Sequence, residues 1–185
     1  YTDLLTLGRL ELNGVSHMYI NDGMGKLIKS SDEPFEIPST LHAISVGDHN
    51  NDGFDDVAIA HLNGTELNTN IYTNEYGNGS INEFSLHQEL QGATYASLDW
   101  GDYDNDGDLD LVTSGYTATS TTDQGLEEYT NPITNIYQQN DQGVFIYDSS
   151  LYMIDSVGLS STQWGDYDND GDLDLLVTGE TSEKE

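Results

Sequence analysis

The chain contains no cysteine, and only 4 of its 185 residues are lysine or arginine. Without cysteine it can form neither disulfides nor thiolate metal sites, and a soft metal would depend on the five scattered histidines. Oxygen-bound hard cations are therefore the metals to consider. The shortage of positive charge excludes nucleic acid and anionic membrane surfaces as partners, because both bind to cationic protein faces.

Long apolar runs are also missing, since no stretch approaches the roughly 18 residues of a membrane span. We therefore predict no membrane insertion. The formal net charge of −30 comes from 34 acidic residues, and such a surface favours solubility in salty surroundings. Hydrophobic residues make up 35% of the chain, which is enough to predict a folded domain with a core.

An internal repeat dominates the sequence. WGDYDNDGDLDL occurs identically at residues 100–111 and 164–175, and VGDHNNDGFDDV at 46–57 is a looser copy. A second repeated signal, of the type NIYTNE, surrounds Tyr19, Tyr72 and Tyr137. Such self-similarity is typical of repeat architectures, in which each unit packs on its neighbours.

Short runs of alternating apolar and polar residues, separated by Gly, Asn and Asp, predict about four strands per unit and an all-β fold. We expect consecutive four-stranded antiparallel units that stack radially as propeller blades or linearly as a solenoid. The predicted organisation is a single repeat array over 1–185, with units at 3–55, 56–109 and 110–173 and the start of a fourth at 174–185. Three units are expected to be complete.

Because the ends of the sequence fall at equivalent places in the repeat, we expect the chain to be part of a longer protein. Tyr1 begins a strand-like segment with no signal-peptide pattern before it. The alternative is a short protein whose copies associate edge to edge through unpaired strands.

Each acidic loop has the composition of a cation site. In DYDNDGDLD, carboxylates at positions 1, 3 and 5 alternate, the glycine at position 6 allows a sharp turn, and position 9 returns another carboxylate. Ca²⁺ takes six to eight oxygens in a tolerant geometry, and these side chains with the main-chain carbonyl of position 7 supply most of them. We predict about three Ca²⁺ per chain, one for each loop.

The predicted ligands occupy the same five positions in every loop, with position 7 contributing its carbonyl. They are Asp48, Asn50, Asp52, Phe54 and Asp56; Asp102, Asp104, Asp106, Asp108 and Asp110; and Asp166, Asp168, Asp170, Asp172 and Asp174. Asn50 leaves the first loop with one carboxylate fewer, so we expect it to bind most weakly.

Three other interpretations of the loops can be compared. An EF-hand needs a glutamate at position 12 and flanking helices, but position 12 here is Ile59, Thr113 or Val177. Mg²⁺ prefers a strict octahedron and keeps its waters, so a multi-carboxylate cage suits Ca²⁺ better. A solvated turn would explain one such loop, but three copies at matching positions argue against it.

The acidic motif, its following Leu-Val-Thr-Gly run and the N-I-Y-x-N type of strand resemble the FG-GAP/VCBS repeats of integrin-α-like β-propellers. The resemblance implies a calcium-binding propeller of about seven blades, of which this chain would be a part. It also implies an extracellular or cell-surface location, as in adhesion proteins and in secreted or surface proteins of bacteria.

Two functions are open. The first is a calcium-stabilised structural or ligand-binding module in adhesion or scaffolding, whose partner is a protein or a glycan. The second is an accessory or catalytic propeller of a secreted carbohydrate-active enzyme. We predict no enzyme activity, because the sequence shows no set of polar residues, outside the repeated pattern, that could form a catalytic site. In particular, His17, His42, His61 and His87 fall at unrelated positions.

A Thr-rich insertion at about 117–131 lengthens the last repeat and is the best candidate for specificity, since loops on rigid scaffolds carry recognition. Glu127 and Glu128 within it are interpreted as part of a solvated loop. Trp100 and Trp164 share a repeat position and are expected to pack between units. Aromatic residues that bind sugar are expected at positions that are not repeated between units, such as Tyr116 or Tyr129.

Overall fold

The fold is all-β, as predicted. A computed structural model describes residues 4–10, 13–29, 40–75, 84–121, 127–151 and 153–181. These ranges contain no α-helix, and a short 3-10 turn lies at Ser149–Leu151. The strands form four sheets, and in each sheet the strands follow chain order.

The first sheet has three described strands and the second has four, all antiparallel. The strands of the first are β1 (Leu4–Leu10), β2 (Asn13–Asn21) and β3 (Leu27–Lys29). Those of the second are β4 (Thr40–Gly47), β5 (Asp56–Asn63), β6 (Glu66–Asn74) and β7 (Phe84–Gln91).

The third sheet repeats the four-stranded pattern, and the fourth has two described strands. The third contains β8 (Thr94–Gly101), β9 (Asp110–Thr121), β10 (Glu127–Gln139) and β11 (Phe145–Tyr147). The fourth contains β12 (Gly158–Gly165) and β13 (Asp174–Glu180). Four-stranded antiparallel meanders of this kind are consistent with the blades of a propeller.

Each acidic loop joins the first and second strands of a sheet, between β4 and β5, between β8 and β9, and between β12 and β13. A four-stranded sheet therefore contains one strand before its loop and three after it. The unit limits predicted from the sequence therefore fall within the sheets. Each predicted unit was counted from the last aspartate of a loop, and in the three acidic loops that aspartate begins the second strand of a sheet. The first strands lie side by side, with β8 against both β4 and β12.

The main core lies between the second and third sheets. Both faces of β5 are buried from Asp56 to His61, so its sequence is nearly continuous in apolar residues instead of alternating. Ala58, Ala60 and Ile71 of the second sheet form one buried cluster with Leu98 and other apolar side chains of the third sheet. The small alanines allow that sheet to approach closely.

The two tryptophans pack between sheets, which confirms their predicted structural role. Trp100 is buried beside Gly47, and Trp164 lies against Gly101 of the preceding sheet. The Trp164 ring also stacks on Tyr103, with 5.9 Å between centroids and 10° between planes. The strands β4 and β8 thus each end in a glycine that leaves room for the tryptophan of the next sheet.

The Thr-rich insertion forms strand where a loop was expected. Strand β9 extends to Thr121 and β10 begins at Glu127. The two strands pair from Glu127↔Thr121 onwards. Glu127 and Glu128 therefore belong to a strand, and their interpretation as loop residues was wrong. The β-branched threonines of this segment favour extended backbone, so the insertion lengthens the hairpin.

Substituting Gly101 by alanine is expected to destabilise the protein. A Cβ there would lie 2.6 Å from Cδ1 and 2.7 Å from Cγ of Trp164, and overpacking of this kind costs about 1–3 kcal/mol. Gly165→Ala is the matched control, because no atom lies within 4 Å of its Cβ position. Thermal melts should show a fall for Gly101→Ala of roughly 2–10 °C and none for Gly165→Ala. Equal melting temperatures would contradict the packing argument.

Candidate metal-binding site

The backbone of all three acidic loops follows one path. The asparagine at position 4 has a positive φ in each loop, at 57° for Asn51, 59° for Asn105 and 61° for Asn169. The glycine at position 6 follows with φ between 89° and 99°. Asparagine and glycine tolerate this left-handed region best, so these two residues turn the chain back on itself.

The carboxylate at position 1 organises each loop by accepting two backbone N–H groups. In the second loop, Asp102 accepts from Asp106 at 3.0 Å and from Gly107 at 3.1 Å. The equivalent pairs of bonds to Asp48 and Asp166 measure between 2.8 and 3.1 Å. The carboxylates at position 5 accept the N–H of position 7, as Asp106 does from Asp108 at 2.9 Å. The loops are therefore preformed around their acidic side chains.

The carboxylate at position 9 is buried in the second and third sheets. Asp56 and Asp110 are both 0% exposed. Asp110 accepts the N–H of Tyr103 at 3.2 Å and that of Gln139, at the end of β10, at 2.8 Å. Asp56 is held in the same way by His49, at 3.0 Å, and by Asn74, at the end of β6, at 2.7 Å. This aspartate therefore joins its loop to the third strand of its own sheet.

Asp174, the position 9 residue of the last loop, is instead exposed, and only two strands of its sheet are described. It accepts the N–H of Tyr167 at 2.9 Å. The local loop geometry is the same as in the other loops, so the difference in burial comes from the strands around it.

Two of the loops bring three carboxylates together. In the second, oxygens of Asp102, Asp104 and Asp110 all lie within 4.8 Å of one another. In the third, the same is true of Asp166, Asp168 and Asp174. Asp106 and Asp170 fall outside these groups, and the first loop, with Asn50 at position 3, forms no such group of acids. The carbonyls of Phe54, Asp108 and Asp172 remain predicted ligands.

Burial strongly perturbs the two enclosed carboxyls. Desolvation raises the pKa of Asp56 to about 6 and that of Asp110 to about 7, although the backbone N–H groups act in the opposite direction. In the part of the chain that the structure describes, no lysine or arginine pairs with either group. Buried carboxylates are ordinarily paired with a cation, so these loops have the electrostatics of a cation site.

His49 was missed by the sequence analysis, which considered only the other four histidines. It occupies position 2 of the first loop and is 2% exposed. Its ring contacts Gln139 and Thr73 at 3.1 Å each, and Nε2 lies 3.5 Å from Asp56. Burial and then the neighbouring His87 lower the pKa of His49, so its contact with Asp56 involves a neutral ring at neutral pH.

Neighbouring loops are linked by the asparagine at position 4, which the sequence analysis did not foresee. The amide of Asn51 donates to the carbonyl of Gly107 and to a carboxylate oxygen of Asp108, at 3.2 Å each. The amide of Asn105 donates to Asp172 at 2.8 Å. Each of these loops therefore holds the position 7 residue of the next loop.

The donor set fits Ca²⁺. It consists of oxygens, and it collects three carboxylates in a small volume in each of two loops. Hard oxygen ligands in irregular arrangements suit Ca²⁺ better than Mg²⁺ or a softer metal. The Asp110 carboxylate would bind the ion from the core side, while Asp102 and Asp104 would bind it from the loop.

Comparison with protein families gives a match to the FG-GAP-like repeat over residues 49–113. The matched segment runs from the first acidic loop through the second and into β9. The chain thus carries an FG-GAP-like repeat, which confirms the resemblance drawn from the acidic motifs. Repeats of this kind are generally structural or binding modules and are typically extracellular.

A search of curated proteins finds no match to the chain. Among the described residues, no helix has the length and hydrophobicity required to cross a bilayer.

Proposed function

We propose that this chain is a calcium-binding β-propeller segment of a secreted or cell-surface protein. In this role it is a structural and ligand-binding module for adhesion or scaffolding. Calcium would hold the loops between the first and second strands, at the ends where neighbouring sheets meet. The observation that carries the proposal is the repeated loop whose carboxylate oxygens, three in each of two loops, lie within 4.8 Å of one another.

The buried aspartates explain why the ion would stabilise the fold. An ion at the second loop would connect the loop carboxylates with Asp110, which is already bonded to the end of β10. One ion would therefore tie together three strands of a sheet. Extracellular calcium is abundant enough to fill sites of even modest affinity, so the expected role is structural and permanent.

The direct test is metal content. After dialysis against Ca²⁺, elemental analysis is expected to find about three ions per chain, and a competing equal concentration of Mg²⁺ should leave that number unchanged. The double variant Asp166→Asn, Asp168→Asn should reduce the content by about one ion. A protein that retains no calcium, or one that exchanges it for Mg²⁺, would contradict the proposal.

A further inference from the structure

A cleft lies at the opposite ends of the strands from the acidic loops, between the second and third sheets. It has a volume of about 840 Å³, within the range of small-molecule binding sites. Its walls are the beginnings of β4, β6, β8 and β10 and the ends of β5 and β9. The lengthened hairpin of β9 and β10 forms one side, so the insertion contributes to this cleft.

The lining of the cleft mixes polar and apolar side chains, and none of the described ones carries a charge at neutral pH. Threonines are prominent, five in all, and none of the described lining residues is Asp, Glu, Lys or Arg. The chain as a whole contains 34 acidic residues, so the cleft differs sharply from the rest of the surface. His42 also lines it, and burial, reinforced by nearby His61, lowers the pKa of this histidine. At neutral pH the side chains that line the cleft are therefore neutral.

Two tyrosines form the aromatic part of the cleft. Tyr95 and Tyr129 meet edge to face, with ring centroids 4.6 Å apart and planes at 77°, and their hydroxyls lie 3.0 Å apart. Tyr95 is 42% exposed. A third ring, that of the buried Tyr116, lies 6.0 Å from the ring of Tyr129. The cluster thus offers exposed aromatic surface next to hydrogen-bonding groups.

The orientation of the Tyr95 ring is set by an irregular backbone. Tyr95 lies in a β-bulge of β8, between Thr94 and Ser97, and has a φ of 48°. Bulges redirect side chains and are common beside functional sites. Leu159 of β12 has nearly the same φ, 47°, in a bulge at the equivalent place. The strained backbone is therefore shared by the third and fourth sheets, and the aromatic ring is what distinguishes the third.

We propose that this cleft binds a neutral glycan. The tyrosine rings would pack against the apolar C–H faces of sugar rings, and the threonine hydroxyls would exchange hydrogen bonds with sugar hydroxyls. An anionic sugar would be repelled by the net charge of −30, and a cationic ligand would find no carboxylate among the described lining residues. The inference rests on the proposed role as a ligand-binding module and names its ligand class.

The test uses the calcium-loaded chain and four neutral probes, namely maltohexaose, cellohexaose, laminarihexaose and mannohexaose, with titration calorimetry. At least one probe is expected to bind saturably with a Kd below about 10 mM. Tyr95→Leu places in the third sheet the residue that Leu159 provides in the fourth, and Tyr129→Leu removes the second ring. Each should weaken binding about tenfold or more.

Tyr147→Leu is the matched control, because Tyr147 is 50% exposed on the outer strand β11 and lies away from the cleft. Its affinity should stay unchanged. Failure of all four probes, undiminished binding by Tyr95→Leu and Tyr129→Leu, or tighter binding of oligogalacturonate than of any neutral probe would overturn the inference. Metal content measured on the same samples separates the two proposals, because an unmodified chain that retains three ions but binds none of the four probes contradicts only this one.

Discussion

Chelation of calcium is expected to lower the melting temperature of this protein by roughly 15–30 °C. An ion present at about a hundredfold above its Kd stabilises the folded state by about 2.7 kcal/mol per site, so three sites contribute roughly 8 kcal/mol. In a chain of this size each kcal/mol corresponds to about 2–4 °C. Thermal melts followed by circular dichroism, with and without a chelator, measure the difference.

Magnesium at the same concentration is the control for that measurement, since it matches calcium in charge. It should restore only a small part of the lost stability, because Mg²⁺ requires a regular octahedron and retains its waters. A chelated protein that melts at the same temperature as the calcium-loaded one would show that the acidic loops are solvated turns.

The pH dependence of the chelated protein supplies an independent check. The pKa of Asp110 is raised to about 7 and that of Asp56 to about 6, against about 3.9 in an unfolded chain. The folded state then binds more protons than the unfolded state, so stability falls as pH rises from about 4 to about 7. The lowered pKa values of His42, His49 and His61 act in the opposite direction.

The chelated protein should therefore melt higher at a pH of about 5 than at about 7.5. With calcium the order should reverse, because protons compete with the ion for the same carboxylates. The same direction of change in both conditions would contradict the assignment of the buried aspartates as ligands.

Asp110→Asn is expected to be the most damaging single substitution in the acidic loops. Both carboxylate oxygens accept backbone N–H groups, from Tyr103 and from Gln139, whereas an amide has only one acceptor and would place its NH₂ against the other donor. The unsatisfied donor costs about 1–3 kcal/mol, and the lost site costs about 2.7 kcal/mol more. In calcium the melting temperature should fall by roughly 8–20 °C.

Asp174→Asn provides the matched comparison, because Asp174 holds the same position in its loop but is exposed. It should also remove about one ion per chain, with roughly half of the fall in melting temperature, since no buried N–H loses its partner. If the two variants lost equal stability, the burial of Asp110 would have no energetic consequence.

The acidic loops could be recognised from sequence because their geometry is local. Positions 1 to 9 determine the turn, and the left-handed Asn105 and Gly107 are residues that accept this conformation readily. The strands were also predictable, because β-branched and aromatic residues alternate between turn residues. Such patterns involve neighbouring residues and do not depend on how the sheets pack.

The contacts between sheets could not be predicted in the same way. Gln139 contacts His49 across 90 positions of sequence, and Asn105 reaches Asp172 across 67. Such pairs depend on which strands lie side by side, and the repeat alone does not establish this. The extended hairpin of the insertion was missed because its threonines suit both a loop and a strand, and pairing across the sheet decided between them.

The asparagine links between loops make the array behave as a one-dimensional chain with nearest-neighbour coupling. Asn51 connects the first loop to the second, and Asn105 connects the second to the third. In such a chain, stability is a sum of unit and interface contributions. The middle loop belongs to two interfaces and each outer loop to one, so a defect in the middle divides the array, whereas a defect at either side only shortens it.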